Sequence, residues 1–268
     1  MDDGTSKYTP SERAVRTCPD PETAIDGGCP TQGSGPGRGD PGAAMEAGAG
    51  RKRLRVAVAT LGCKVNQCDS AGLSAALAAR GMVPVPFGEP ADICIINTCT
   101  VTGRTDYQSR QLIRRTVRNH PDAEVVVTGC YAQRAPEEIA RIRGVRMVAG
   151  NFDKERLPDL LSGMRDGAPE IQVGDIRGAR EISRLTAAPL PGHTRTFLKI
   201  QDGCDAFCSY CIVPHTRGSS RSLAPDEVLE RIGAIARSGC REVVLTGIHL
   251  GAWGRDLRPS ADLAGLIR

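Results

Sequence analysis

Three cysteines sit in one short loop, Gly203-Cys204-Asp205-Ala206-Phe207-Cys208-Ser209-Tyr210-Cys211. This Cys-x3-Cys-x2-Cys spacing supplies three thiolates, one fewer than a closed metal site needs. A structural zinc ion takes four protein ligands, and a four-iron cluster normally takes four cysteines, one per iron. Three thiolates on such a cluster leave one iron open to a substrate or cofactor. The competing reading is a zinc knuckle completed by a distant fourth ligand.

Cys63, Cys99 and Cys130 are widely separated but share a setting. Val56-Ala57-Val58-Ala59-Thr60 reads as a buried strand and precedes Cys63. Asp92-Ile93-Cys94-Ile95-Ile96-Asn97 precedes Cys99, and Glu124-Val125-Val126-Val127-Thr128 precedes Cys130. Short apolar runs with helical stretches between them imply parallel strands. Ligands of an open parallel sheet collect beyond the carboxyl ends of its strands. All three cysteines fall there, so one shared site is geometrically sound, again with three thiolates and an open iron. The bland alternative is a set of small core residues, since free cysteine is often buried. Cys94, inside a strand, and Cys240, just before Glu242-Val243-Val244-Leu245, take that reading. Cys68 is read as a bystander near the start of a helix. Cys18 and Cys29 lie in a Gly/Pro-rich tail and are set aside.

The elements that must carry these residues follow from periodicity and breakers. Residues 1–50, rich in Gly, Pro, Asp and Thr, read as a disordered tail, and Met45 is a candidate natural start. Residues 54–162 read as an α/β domain. Its strands lie near 55–60, 92–97, 124–128 and 145–149, and its helices near 67–80, 105–119, 136–143 and 153–162. Residues 163–193 read as a linker. A second α/β unit, 194–268, opens with a strand over 196–201, then the cysteine loop. A helix over 225–238 follows, with Pro225 in its first turn and Gly239 at its end. The next strand spans 241–246, and the chain stops within what reads as the following helix.

Bulk properties bound the function. The chain has 268 residues, a formal net charge of +4 and 3 % aromatics. So mild a charge does not by itself indicate nucleic acid. Eleven cysteines without a signal peptide or long apolar run point to a reducing cytoplasm, where thiols are ligands or core rather than disulfides. Arg110, Arg114 and Arg118 recur at one helix face, with Arg115 beside them. Arginine forks match phosphate, so the face is an RNA-binding candidate; a solvated charged face is the equal alternative. Arg51, Lys52, Arg53 and Arg55 form a short basic flank open to the same two readings.

Several strings together resemble the methylthiotransferase branch of the radical S-adenosylmethionine (radical SAM) superfamily. They are Thr60-Leu61-Gly62-Cys63-Lys64-Val65-Asn66-Gln67, Asn97-Thr98-Cys99-Thr100-Val101-Thr102 and Thr128-Gly129-Cys130-Tyr131-Ala132-Gln133, with Phe197-Leu198-Lys199-Ile200-Gln201-Asp202-Gly203-Cys204 and Thr246-Gly247-Ile248-His249-Leu250-Gly251. The match covers roughly 54–268. Within the branch, the Leu-Gly-Cys-Lys-Val-Asn-Gln form, Ser109-Arg110-Gln111 and Gly-Ile-His-Leu-Gly are most similar to the tRNA threonylcarbamoyladenosine methylthiotransferases. Enzymes acting on isopentenyladenosine tRNA or on a ribosomal protein carry other forms and remain the alternatives within the class. His215, in Val213-Pro214-His215-Thr216-Arg217-Gly218, departs from the family's usual aromatic.

The resemblance implies an α/β chain: a parallel-sheet methylthiotransferase domain, then the start of a partial (β/α) radical SAM barrel. The barrel is incomplete here, so the chain reads as part of a larger enzyme and is expected to be inactive alone. The implied cofactors are S-adenosyl-L-methionine and two 4Fe-4S clusters, one on Cys204, Cys208 and Cys211 and one on Cys63, Cys99 and Cys130. Phe207, Tyr210, Thr246, Gly247 and His249 are the implied cofactor-binding residues. For Phe207 and Tyr210 loop packing is the alternative, and for His249 a solvated loop position. The implied reaction inserts a methylthio group at C2 of N6-threonylcarbamoyladenosine 37 in tRNA, fed by an electron donor such as a flavodoxin or ferredoxin. Two readings of another class stay open: an iron-sulfur electron-transfer module and a zinc-stabilised RNA-binding module.

Overall fold

The computed structural model describes residues 53–164, 167–185 and 195–268. The expectations placed on residues 1–50, including Cys18, Cys29 and Met45, and on Arg51 and Lys52 lie outside the described residues.

The first module runs β1 (Arg55–Thr60), α1 (Lys64–Ala79), β2 (Val83–Val85), β3 (Ile93–Thr98), α2 (Gly103–Asn119), β4 (Glu124–Gly129), α3 (Cys130–Arg134), α4 (Pro136–Ala140), β5 (Val145–Ala149), α5 (Leu157–Ser162) and β6 (Glu170–Gln172). The six strands form one sheet in the order β2-β1-β3-β4-β5-β6, and every pairing is parallel. Alternate strand residues feed opposite faces, because side chains of a strand point up and down in turn. Ile93, Ile95 and Val126 join Leu73, Leu77, Leu157 and Leu161 on one face. Cys94, Ile96, Val125 and Val127 join Ile113, Tyr131 and Ile139 on the other. Helices thus cover both faces, which explains why these strands are apolar throughout instead of alternating.

The structure corrects the sequence reading in four places. The sheet has two further strands, β2 and β6, one at each edge. Three residues are too few to show a period, and Pro84 in β2 cannot donate to a ladder, which confines it to an edge. The stretch expected as a linker, 163–193, contains β6 and a 3-10 turn at Ile176–Gly178, whose Ile176 is buried. α1 begins at Lys64, three residues earlier than expected. Its N-cap is Cys63, whose side chain makes no capping bond, so the usual Ser/Thr/Asp/Asn signal is missing. A helical turn, α3, begins directly at Cys130, and α4 ends at Ala140.

The second module holds β7 (Arg195–Lys199), β8 (Gln201–Asp202), α6 (Val213–Arg217), β9 (Arg221–Ser222), α7 (Pro225–Arg237), β10 (Glu242–Thr246) and α8 (Leu263–Ile267). β7 and β10 pair in parallel across α7, as a βαβ unit requires. β8 and β9 pair antiparallel and clasp the two ends of the cysteine loop. Leu198, Ile200, Leu223, Val228, Ile235 and Trp253 form its core. α1 packs against β7, and α3 against α6, so two of the cysteine-bearing turns of the sheet face the second module. Among the described residues, no helix is long and apolar enough to cross a membrane.

Candidate metal centres and their junction

The strand order explains where the upstream cysteines gather. Chain direction along the sheet reverses between β1 and β3, and crevices form beyond the carboxyl ends of strands at such a point. Cys63 follows β1, Cys99 follows β3, and Cys130 follows the adjacent β4. Cys63 is exposed, while Cys99 and Cys130 are buried. Cys99 is within electrostatic reach of the other two: burial raises its thiol, and Cys130 and Cys63 push it further the same way. Gly62, at φ 99°, packs so near Cys99 that an added Cβ would stand 2.8 Å from its sulfur. The turn is therefore built for a thiol and no side chain before it. Asn66 Nδ2 donates to the carbonyls of Leu61 and Thr98 at 2.8 and 2.9 Å, tying the Cys63 turn to the Cys99 turn. Thr98 Oγ1 donates to the Thr128 carbonyl at 2.6 Å, and this adds the Cys130 turn. The positive end of α1 and the first amides of α3 lie at Cys63 and Cys130, a setting that favours anionic ligands.

The remaining described cysteines behave as core. Cys68 is buried in α1, and its thiol is pushed up to about 12 by burial, with Asp69 adding to the shift. Cys94 is fully buried in β3, and its thiol is raised by burial. Cys240 is buried before β10.

The downstream loop sits between β8 and α6. Cys204 and Cys211 are half-buried and Cys208 is exposed. Gly203, at φ 74°, brings its backbone against Ser219 and Gly218, leaving no room for a side chain. The loop is pinned by Cys204 N donating to the Gly218 carbonyl at 3.0 Å and Ser220 N to Asp205 at 3.1 Å. Gln201, buried and overlooked by sequence reasoning, donates to the Gly203 carbonyl at 2.7 Å and to Ser220 Oγ at 3.0 Å. Its Oε1 accepts from His249 N at 2.8 Å. That bond carries His249 to the loop, where its Nδ1 stands 4.0 Å from Cys204 Sγ. Gly247 packs on Gln201, and Thr246 is buried at the end of β10. A cleft of about 350 Å³ opens here, lined by Cys204, Asp205, Ser220, His249, Arg255 and Asp256. Tyr210 and Phe207 are 89 % and 61 % exposed, so neither ring is packed into the loop. Phe207 touches His215 edge-on, with centroids 6.0 Å apart, so the imidazole occupies the neighbouring aromatic position.

The arginine face divides. Arg110 Nη1 donates to Tyr131 Oη at 2.7 Å and to Glu138 at 3.1 Å, so its guanidinium is engaged within the fold. Arg114, Arg115 and Arg118 are exposed.

Between the modules lies a buried polar network that sequence reasoning missed entirely. Asp69 of α1 accepts from Lys154 at 3.0 Å, Lys199 at 2.5 Å and Arg217 at 3.3 Å. Asp202 accepts from Lys199 at 3.0 Å and from Arg217 at 2.9 and 3.0 Å. Arg217 also donates to Asn66 Oδ1 at 2.5 Å, and Lys154 to Asn97 Oδ1 at 3.3 Å. All five ionic groups are buried. Burial opposes the charge on both carboxyls, yet Lys154, Lys199 and Arg217 outweigh it at Asp69, and Arg217 and Lys199 at Asp202, holding both far below the usual range. Burial likewise opposes the Arg217 charge, but Asp202, Cys130, Asp69 and Cys63 together raise it. Lys199 is raised against burial by Asp202 and Asp69, whereas burial prevails at Lys154 and lowers it. A cleft of about 380 Å³ opens onto this network.

Among the described residues, no group of three or more Cys, His, Asp or Glu side chains stands in ion-holding geometry. The donor sets nonetheless fit iron-sulfur clusters in kind: three free thiols each, with a glycine cleared beside one set and a cleft beside the other.

Comparison with known proteins divides the chain at the same junction. Residues 55–150 match the uncharacterized protein family UPF0004, and residues 198–252 match the radical SAM superfamily. The threonylcarbamoyladenosine tRNA methylthiotransferase MtaB of Bacillus subtilis is 42 % identical over 204 residues, covering 76 % of this chain and 45 % of that protein. Its namesake in Aquifex aeolicus is 38 % identical over 204 residues, covering 76 % and 50 %. The tRNA-2-methylthio-N(6)-dimethylallyladenosine synthase of Cereibacter sphaeroides is 34 % identical over 215 residues, covering 79 % and 48 %. The chain spans about half the length of the curated relatives it matches.

Proposed function

We infer that this chain, a relative of the radical SAM methylthiotransferases in both of its modules, belongs to an enzyme that adds a methylthio group to tRNA. The substrate is N6-threonylcarbamoyladenosine at position 37, modified at C2 of the adenine. Residues 54–162 form the methylthiotransferase domain and 194–268 the start of the radical SAM barrel. The observation that carries the reading is the Cys204 loop itself: three free thiols clasped between β8 and β9, with His249 brought against Cys204 and a cleft alongside.

In this reading Cys204, Cys208 and Cys211 hold one 4Fe-4S cluster, and Cys63, Cys99 and Cys130 hold a second. When bound, these clusters and S-adenosyl-L-methionine supply the one-electron chemistry needed to break an unactivated carbon–hydrogen bond, which no acid or base could do at neutral pH. The chain's own residues position the parts. Gln201 locks the loop to the end of β10; His249 lines the cleft in which the cofactor would lie, with Thr246 and Gly247 just before it in the chain as further cofactor-binding candidates. Phe207 and Tyr210 offer exposed rings beside the loop. Arg114 and Arg118 offer exposed forks for tRNA phosphates, while Arg110 fixes α2 to Tyr131. An electron donor such as a flavodoxin or ferredoxin completes the system, and the free thiols fit a reducing cytoplasm.

The test is mass spectrometry of tRNA nucleosides after incubation with anaerobically reconstituted full-length protein, S-adenosylmethionine and a reductant. The 2-methylthio derivative of threonylcarbamoyladenosine is expected. Product only on isopentenyladenosine tRNA would reassign the substrate. Cluster reduction without 5′-deoxyadenosine would point to electron transfer alone, and stoichiometric zinc without iron to an RNA-binding module.

A further inference from the structure

We propose that Arg217 and Asn151 are positioning residues that hold the two cysteine sets in fixed relation across the junction between the modules. The proposal rests on the two-site reading above. Arg217 closes α6, six residues beyond Cys211, yet its guanidinium reaches residues of the other module. One nitrogen is bonded to Asp202, two residues before Cys204. The other is bonded to Asn66 and Asp69, in the first turns of the helix that Cys63 caps. A single planar fork therefore spans the bases of both sites. Asn151 makes a second link: its Nδ2 lies 3.4 Å from Cys130 Sγ and donates to the Thr216 carbonyl at 2.8 Å. Its Oδ1 is buried without a hydrogen-bond partner among the described residues, so these two contacts of Nδ2 orient the amide there.

The arrangement is more than packing. Buried ionic groups are costly compared with apolar residues of the same volume, so they are weak evidence for stability and better explained by a fixed register. Three cations, Lys154, Lys199 and Arg217, share two carboxylates, Asp69 and Asp202. This surplus of positive charge lies beside the upstream set, since Arg217 bonds to Asn66 and Asp69 on the helix that Cys63 caps and Asn151 links Cys130 to the residue before Arg217. A thiolate-held cluster on Cys63, Cys99 and Cys130 would carry negative charge, which this surplus would balance. In the two-site reading the two sets would act on one nucleoside, and a misplacement of about 1 Å can cost about 100-fold in rate.

The experiment uses full-length protein with both clusters reconstituted, comparing wild type with Arg217→Lys and Asn151→Ala. Lysine keeps the charge but cannot bridge two partners with a rigid fork. Three quantities are read: iron per chain, spin-relaxation enhancement between the reduced clusters by EPR, and methylthio nucleoside formed per 5′-deoxyadenosine. The expected result is iron at the wild-type level, altered inter-cluster relaxation, and a product ratio lowered about 10–100-fold. Both variants at wild-type relaxation and ratio would overturn the proposal. So would loss of iron in Arg217→Lys with Asn151→Ala unchanged throughout, since the network would then only hold the fold. Wild-type protein that forms no methylthio nucleoside would count against the two-site reading itself.

Discussion

A thiol becomes a ligand only if the chain before it lets the sulfur reach the site. Gly62 does this for the upstream set, at φ 99° and hard against Cys99. Gly62→Ala should add backbone strain of at least about 1–2 kcal/mol and drive a methyl group into the Cys99 side chain. The expected outcome is loss of iron from the upstream site alone, measured as halved iron in reconstituted full-length protein that still cleaves S-adenosylmethionine. Replacing Cys63, Cys99 and Cys130 together by Ala should give the same pattern: half the iron, 5′-deoxyadenosine retained, and no methylthio product. Iron unchanged after that substitution would remove the second site. The place of Cys63, Cys99 and Cys130 after parallel strands was legible in the sequence, because the apolar runs before them are local facts. The approach of His249 to Cys204 was not, because it depends on Gln201 joining residues 48 positions apart.

At the level of elements, α2 and α1 show how the same residue types serve opposite ends. The periodicity of Arg110, Arg114 and Arg118 correctly placed them on α2, but could not show that Tyr131 and Glu138 engage the first. Arg114→Ala with Arg118→Ala should weaken tRNA binding and lower the salt slope by about 1 per lost phosphate contact. Affinity and slope at wild-type values would mark a solvated face. Arg110→Ala should cost only about 0–1 kcal/mol through the half-exposed Glu138 pair. On α1 the polar residues Asn66, Asp69 and Ser70 are buried, which no sequence pattern announced, because their partners are distant in the chain: Thr60 and Asn97 for Ser70, and Lys199 and Arg217 for Asp69. Asp69→Asn should destabilise the protein by about 3–5 kcal/mol at neutral pH by taking the carboxylate partner from buried Lys154. The folded-state pKa of Asp69 is depressed, so its stabilisation is complete above about pH 4 and is lost as pH falls further. The gap between wild-type and Asp69→Asn melting temperatures should therefore narrow below pH 4. A gap independent of pH would show that Asp69 does not act through its charge.

At the scale of the whole molecule, two α/β modules bring their cysteine-bearing turns to one buried, ion-paired junction. The parallel sheet and the following βαβ unit were readable from apolar runs, Pro225 and Gly239. The edge strands β2 and β6 were not, since three-residue strands carry too little pattern and owe their place to the sheet already formed. What the architecture is for comes down to whether two sites act on one nucleoside. The most direct measurement is mass spectrometry of tRNA nucleosides from anaerobic reactions of the full-length protein, with 5′-deoxyadenosine counted in the same samples. The account predicts 2-methylthio-N6-threonylcarbamoyladenosine from wild type. It predicts 5′-deoxyadenosine without product from the Cys63/Cys99/Cys130 variant, and neither from the Cys204/Cys208/Cys211 variant. Undiminished product from either triple variant, or wild type fully loaded with iron that yields neither compound, would contradict it.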